Sequence, residues 1–400
     1  MSAWPHTWPP FLWGAATSSH QIEGHQDNDW TQWEAAGRAR EPSGIALDHW
    51  NRWADDFAFL PLLGLNSYRF SLEWSRIEPQ PGVVRREALD RYRAMLGWLR
   101  DHEILPLVTL HHFTLPVWVA RAGGFFHPDA PAWFQRYVST AVDALGDLIP
   151  FYITINEPLV LAVMGYVLGA WPPGERHLAR ALRLFERLSH LHEVAYRTIK
   201  ERRAQAWVGL AHHLIAFHPW TSSPLDRFMA GVFRRVMNDR MVRRLASFQD
   251  FIGVNYYTRQ YAHWRRGLNP IQHRPGTPLS SLGWELYPEG LREVLLPLGA
   301  FHKPILITEN GVATTDDETR TRFLETHLQV IAEAQRTGID IRGYFHWSLF
   351  DNFEWAEGFA PRFGLIGIDY ATLARTVRPT AWRYRDIIAH NHNRWPITLP

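Results

Sequence analysis

No cysteine occurs among the 400 residues of this sequence. Disulfides and thiolate-bound metals are thereby excluded. Charge of one sign is equally scarce: 42 Lys and Arg stand against 40 Asp and Glu, leaving +2. That balance argues against the basic face a nucleic-acid binder presents. The densest basic run, Arg234, Arg235, Arg240, Arg243 and Arg244, reads as a solvated helix face. No apolar stretch reaches the roughly 20 residues that span a bilayer, so no membrane partner is expected. The start, Met1-Ser2-Ala3-Trp4-Pro5-His6, lacks the basic residues and apolar run of a signal peptide. A cytoplasmic enzyme is the expectation these absences leave.

Several site signatures are missing as well. No Gly-x-Gly-x-x-Gly follows the first apolar run, so dinucleotide binding has no support. No Gly-x-Ser-x-Gly elbow marks a serine hydrolase. The histidines offer adjacent pairs, His111-His112 and His212-His213, but strand neighbours point to opposite faces. His190 and His192 fall two apart in a helical stretch and share no face. No metal and no other cofactor is expected.

Aromatic residues are plentiful: 20 Trp, within an aromatic fraction of 14%. Trp combines a flat apolar face with one N–H donor. Such rings either fill a large core or form platforms for the apolar faces of sugars, and composition alone leaves both open.

Eight short apolar or β-branched runs stand out: Phe11–Thr17, Asn66–Ser71, Leu105–His111, Phe151–Asn156, Trp207–His212, Phe251–Asn255, Ile305–Glu309 and Gly343–Trp347. Helical patterns lie between them, over Arg85–Asp101, Ala132–Leu145, Leu178–Arg203, Pro288–Leu298 and Asp317–Arg336. Thr315 and Asp316 offer cap residues for the last. Strands alternating with helices predict a parallel sheet. Eight of them predict a closed (β/α)8 TIM barrel, an α/β fold forming a single domain over residues 1–400. Gln26–Asp48, Trp171–Arg176 and Trp264–Leu282 read as loops.

Barrels of this kind place their chemistry at the carboxyl ends of the strands. The fourth run ends Asn156-Glu157-Pro158 and the seventh Thr308-Glu309-Asn310-Gly311. Two carboxylates would then face one cavity from opposite walls. Paired carboxyl groups suit glycoside hydrolysis, where one donates a proton and the other attacks or stabilises the anomeric carbon. Other strand ends add His20 and Gln21, His111 and His112, Asn255 and Tyr257, and Trp347, followed by Asp351-Asn352-Phe353-Glu354-Trp355. Arg69, alone among apolar residues in the second run, needs a carboxylate partner.

The motifs carrying these residues resemble glycoside hydrolase family 1. They are Phe11-Leu-Trp-Gly-Ala-Ala-Thr-Ser-Ser-His-Gln-Ile-Glu-Gly24, Tyr68-Arg-Phe-Ser-Leu-Glu-Trp-Ser-Arg-Ile-Glu-Pro79, Thr109-Leu-His-His-Phe-Thr-Leu-Pro116, Thr154-Ile-Asn-Glu-Pro158, Asp250-Phe-Ile-Gly-Val-Asn-Tyr-Tyr257, Gly283-Trp-Glu-Leu-Tyr-Pro288, Ile307-Thr-Glu-Asn-Gly311 and Trp347-Ser-Leu-Phe-Asp-Asn-Phe-Glu-Trp-Ala-Glu-Gly358. They run in family order through nearly the whole chain. The resemblance implies a retaining exo-β-glycosidase acting on a β-glucoside or short β-linked oligosaccharide, with β-galactosides and β-fucosides as further substrates. Glu157 is expected to be the acid/base and Glu309 the nucleophile, supported by Arg69, Asn255 and Tyr257. Gln21, His112, Asn156, Glu354 and Trp355 are expected to bind the first sugar over a Trp347 platform. Trp284 and Phe363 are expected to complete the substrate site.

Two departures stand against the family pattern. Phe113-Thr114 replaces an aromatic–Asp pair, and the stretch from His213 to Asp250 is short, which predicts an open aglycone side. A transglycosylating variant and a 6-phospho-β-glucosidase are the alternatives. The second is disfavoured because Trp355 is kept and the phosphate-holding residues of that branch are missing around Phe359-Ala-Pro-Arg-Phe363.

Overall fold

The computed structural model of the protein describes Trp8, residues 11–392 and residues 394–400. The opening stretch read above for a signal peptide lies outside the described residues. Eight strands close into one barrel: β1 (Leu12–Ala16), β2 (Ser67–Ser71), β3 (Leu105–His111), β4 (Phe151–Asn156), β5 (Trp207–Pro219), β6 (Phe251–Ala262), β7 (Ile305–Asn310) and β8 (Ile341–Trp347). Neighbours pair in parallel all the way round, and β8 returns to β1. Such strands are covered on both faces, which is why they read as continuous apolar runs.

Alternate side chains divide between two packed regions. Leu107, Phe151, Ile153, Phe251, Leu306 and Phe345 fill the barrel interior. Their neighbours Val108, Tyr152, Ile252, Ile305 and Tyr344 pack outward against the helices. Trp8 closes the amino end of the barrel, edge-on to Phe151 and Trp207 with centroids 5.0 and 4.6 Å away. The interior is thus packed below and polar above, leaving the carboxyl ends for chemistry.

Four differences from the sequence reading have local causes. β5 and β6 run to Pro219 and Ala262 because they pair with each other beyond the rim. The expected loop Gln26–Asp48 contains the helix Asp29–Ala35, started by an Asn28–Thr31 capping box that competes with its polar composition. The helix expected over Pro288–Leu298 is α-helical over Glu289–Leu295 and tightens to 3₁₀ at Leu296–Phe301, where Pro297 lacks an N–H. A hairpin of β9 (Ile366–Asp369) and β10 (Ala374–Val377), with the helix Pro379–His390 after it, was not anticipated. No helix among the described residues is long and apolar enough to cross a membrane.

One buried carboxylate anchors the long segment after β8. Asp351, fully buried, accepts from both Arg378 Nη atoms at 2.8 and 2.7 Å and from the Gly364 N–H at 2.9 Å. These bonds tie the Trp347–Phe363 segment to the hairpin. Removing one partner of a buried pair leaves the other charge uncompensated. Asp351→Ala is therefore expected to cost about 3–5 kcal/mol of stability, read by denaturant unfolding.

Candidate active site

The carboxyl ends of β4, β6 and β7 carry register shifts near Asn156, Asn255 and Asn310. These irregularities turn successive polar residues toward the barrel axis where strict alternation would send half of them outward. Glu157 follows β4 in the left-handed region, φ 41°, and precedes the helix Pro158–Tyr166. A non-glycine residue held there stores about 1–3 kcal/mol of strain, a recurrent feature of functional positions. Gly311 explains the end of the β7 motif: a Cβ on it would lie 1.8 Å from the Trp347 carbonyl oxygen. Only glycine lets these two strand ends approach.

Arg69 rises from β2 into the centre with no solvent exposure. Its Nη1 donates to Glu309 Oε1 and to the Thr308 carbonyl, the latter at 3.0 Å. Nη2 donates to Asn156 Oδ1 at 2.7 Å, and Nε to Thr109 Oγ1 at 3.2 Å. The Tyr257 hydroxyl donates to the other Glu309 oxygen at 2.6 Å. Asn255 Nδ2 donates to Glu157 Oε1 at 2.8 Å, while its Oδ1 accepts from the Thr308 hydroxyl at 2.6 Å. A second group meets Glu157 Oε1: His213 Nδ1, at 3.1 Å. Asn156 Nδ2 donates to His112 Nε2 at 3.2 Å, so His112 accepts there. Burial pushes His112 well below its usual range and keeps it neutral.

Gln21, shortly after β1, is bound to the segment after β8. Its Nε2 donates to the Phe353 carbonyl at 2.9 Å, to Asn352 Oδ1 at 3.0 Å and, at 3.4 Å, to Glu354 Oε2. Trp347 and Trp355 both lie nearly parallel to the His112 ring, each with centroids 6.1 Å away. On the far wall Trp284 packs on Tyr257 at 5.4 Å, and Phe363 contacts both. All thirteen site residues read from the sequence therefore belong to one connected cluster at the carboxyl rim.

Phe113 and Thr114, the departure noted in the sequence, have their own contacts. Phe113 packs edge-on against Trp171 and Trp355 at 4.9 and 5.2 Å. The Thr114 hydroxyl donates to the buried Glu73 at 3.0 Å. His213 escaped the sequence reading, which weighed it only as a metal ligand. The strand alternation noted there already turned one member of the pair inward. His212 faces outward to Gln249 at 2.9 Å.

The carboxyl groups lie in conflicting fields. Burial pushes Glu309 up to about 7, with the nearby Glu157 charge adding to it; Arg69 and Tyr257 oppose that rise. Glu157 is also penalised by burial, yet His213 and Asn255 outweigh it and hold the carboxyl below its usual range. His213 is itself raised, because Glu157 outweighs burial. Burial, then the Glu309 and Glu157 charges, push Glu354 up to about 8. A neutral Glu354 both donates and accepts, which suits a sugar hydroxyl. No cluster of three or more His, Cys, Asp or Glu among the described residues is arranged to hold a metal ion.

A closed α/β barrel whose rim pairs two buried carboxylates amid tryptophans and amide side chains defines a sugar-cleaving enzyme. Residues 5–238 and 232–393 match Glycosyl hydrolase family 1, and the chain belongs to that family. It is 30% identical to Beta-glucosidase A of Thermotoga maritima, over 95% of this chain and 97% of that one. Among solved structures, a beta-glycosidase from Pyrococcus horikoshii superposes with a TM-score of 0.91 at 36% identity, covering 96% of this chain and 95% of that one. A beta-glucosidase from Thermotoga maritima in complex with glucoimidazole gives 0.90 at 28% identity, over 96% and 99%.

The Glu354 shift has a consequence for stability. Its folded pKa of about 8 exceeds the ordinary 4.5, so the unfolded chain loses this proton first as pH rises. Its contribution is fully present below about 4.5 and is lost as pH climbs to about 8. Denaturation midpoints at pH 5 and pH 8 should differ more in the wild type than in Glu354→Gln, which removes the titration.

Proposed function

We propose that this chain is a retaining exo-β-glycosidase, on a single barrel domain, that hydrolyses terminal β-glucosyl residues. The observation carrying this reading is the unequal support of two carboxyl groups in one cavity. Glu309 is gripped by a guanidinium and a phenol on separate oxygens, which oppose the rise that burial and Glu157 impose and favour the anion that attacks. Glu157 meets neutral Asn255 and titratable His213, the environment of a group that must exchange protons. In the first step Glu309 attacks the anomeric carbon as Glu157 protonates the departing oxygen. In the second, Glu157 takes a proton from water, which attacks the same carbon from the vacated side.

Sugar recognition follows from the surrounding groups. Gln21, His112, Asn156 and Glu354 offer donors and acceptors for ring hydroxyls, and Trp347 an apolar face beneath them. The contact of Asn156 with the 2-hydroxyl would tighten in the transition state. The Thermotoga maritima relative that binds glucoimidazole supports a glucose-shaped pocket. Galactosides, which are epimeric at C4, and fucosides, which also lack the 6-hydroxyl, are further substrates. The phosphorylated alternative finds less support, because Arg362 is engaged by the Ile368 carbonyl at 3.0 Å and by Asp351 at 3.4 Å.

Mutation separates the two roles. Glu309→Gly should abolish hydrolysis, with azide or formate restoring turnover as a substitute nucleophile. Glu157→Ala should slow alkyl glucosides by roughly 10²–10⁴-fold and activated aryl glucosides far less in the first step, because only the former need a proton. Equal losses on both would remove Glu157 from the acid role. Initial rates on nitrophenyl β-glucoside, β-galactoside, β-fucoside, β-mannoside, α-glucoside and 6-phospho-β-glucoside should favour the β-glucoside or β-fucoside. Turnover of the phosphorylated sugar alone would overturn the substrate assignment.

A further inference from the structure

His213 is placed by the barrel, not by its sequence neighbours. It lies on β5 opposite Asn255 of β6, with its partner Glu157 just after β4, 56 positions away in the chain. Its ring stacks on Tyr257, centroids 5.9 Å apart at 25°, and Tyr257 in turn holds Glu309. The side chain is 17% exposed, against 8% for Glu157. The charged and titratable groups bearing on the pair come from several strands. Glu157 and Glu309 act on His213, Arg69 acts on Glu157 and on Glu309, and Glu309 and Glu157 act on Glu354. Tyr257 stays a neutral phenol, raised by burial and the adjacent carboxylates. His212, the chain neighbour, is turned away and neutral.

Glu157 Oε1 faces both Asn255 Nδ2 and His213 Nδ1, so a proton exchanged with His213 enters and leaves Glu157 at Oε1. A neutral carboxyl beside a neutral imidazole, and a carboxylate beside an imidazolium, contain the same number of protons. Movement of one proton across the 3.1 Å contact interconverts them.

We propose that His213 and Glu157 act as one proton-holding pair, in which the His213 imidazole stores the proton that Glu157 delivers to the departing glycosidic oxygen. This rests on the acid/base reading of Glu157. In the first step the proton passes from His213 to the Glu157 carboxylate and on to the leaving oxygen, which keeps the electron pair of the broken C–O bond. Glu309 forms the new bond to carbon. In the second step water replaces Glu309 at that carbon, and the water proton returns through Glu157 to His213. The direction of the two shifts, His213 up and Glu157 down, agrees with an imidazolium–carboxylate pair at rest. His213 is a positioning residue, since it acts on substrate only through Glu157.

A pair retains its last proton to higher pH than its weaker member alone. His213→Asn keeps an N–H donor near Oε1 but cannot store a proton. The alkaline limb of kcat/KM on an alkyl β-glucoside should fall by about one pH unit in this variant. His213→Leu, which also loses the donor, should show an additional drop in kcat on the same substrate. Independently, the His213 imidazole followed by nitrogen NMR should titrate above its ordinary range in the wild type and fall below it in Glu157→Gln, where burial acts without the carboxylate. An unmoved alkaline limb in His213→Asn, or an unchanged His213 titration in Glu157→Gln, would overturn the pair. Glu157→Ala distinguishes the two levels: an ordinary rate on alkyl glucosides would overturn the acid/base reading itself. An acid-deficient Glu157→Ala with an unmoved limb in His213→Asn would overturn the pair alone.

Discussion

A guanidinium at the centre of a barrel must have its donors satisfied on every side, and Arg69 organises the rim for that reason. Taking such a charge out of water costs several kcal/mol, returned only if geometry and hydrogen bonding are good. The acceptors come from β3, β4 and β7: Thr109, Asn156, Thr308 and Glu309. Arg69 and Glu309 lie 240 positions apart in the chain, so their meeting depends on closure of the sheet. The dependence also runs the other way. Without Arg69, Glu309, already raised to about 7 by burial and Glu157, would be pushed higher still and hold its proton across the neutral range instead of attacking.

Three residues of the rim hold irregular backbone. Glu157, Phe113 and Trp355 all have positive φ, at 41°, 73° and 52°. Phe113 and Trp355 pack on each other and on Trp171, so that an aromatic wall holds the positions local propensity disfavours. Asp351 and its arginines play the same part for the segment carrying Glu354 and Trp355. The rigidity of the rim thus comes from ion pairs and ring packing around strained residues, over a barrel interior filled by ordinary apolar side chains.

What could be read from the sequence, and what could not, divides along physical lines. The barrel was legible because parallel strands buried on both faces stand out as apolar runs. The carboxylates were legible because each such run stops at a polar residue. The ends of β5 and β6 were not, since their extension depends on pairing between strands. The helix Asp29–Ala35 was hidden by polar residues that serve as its cap. His213 was seen but misjudged. Alternation separates it from His212, yet only closure of the barrel shows that Glu157 waits on the inner side. Arg69 demanded a carboxylate from sequence alone, but which one it meets is a property of the fold.

The central claim is that Glu309 forms a bond to the anomeric carbon which water then replaces. Two displacements return the configuration to its starting hand, and one inverts it. The direct measurement is proton NMR of the anomeric signals in the first minutes of aryl β-glucoside hydrolysis, before mutarotation mixes them. β-Glucose appearing first is the expected result. α-Glucose appearing first would contradict the nucleophilic role of Glu309 and require a water between the carboxyl groups instead.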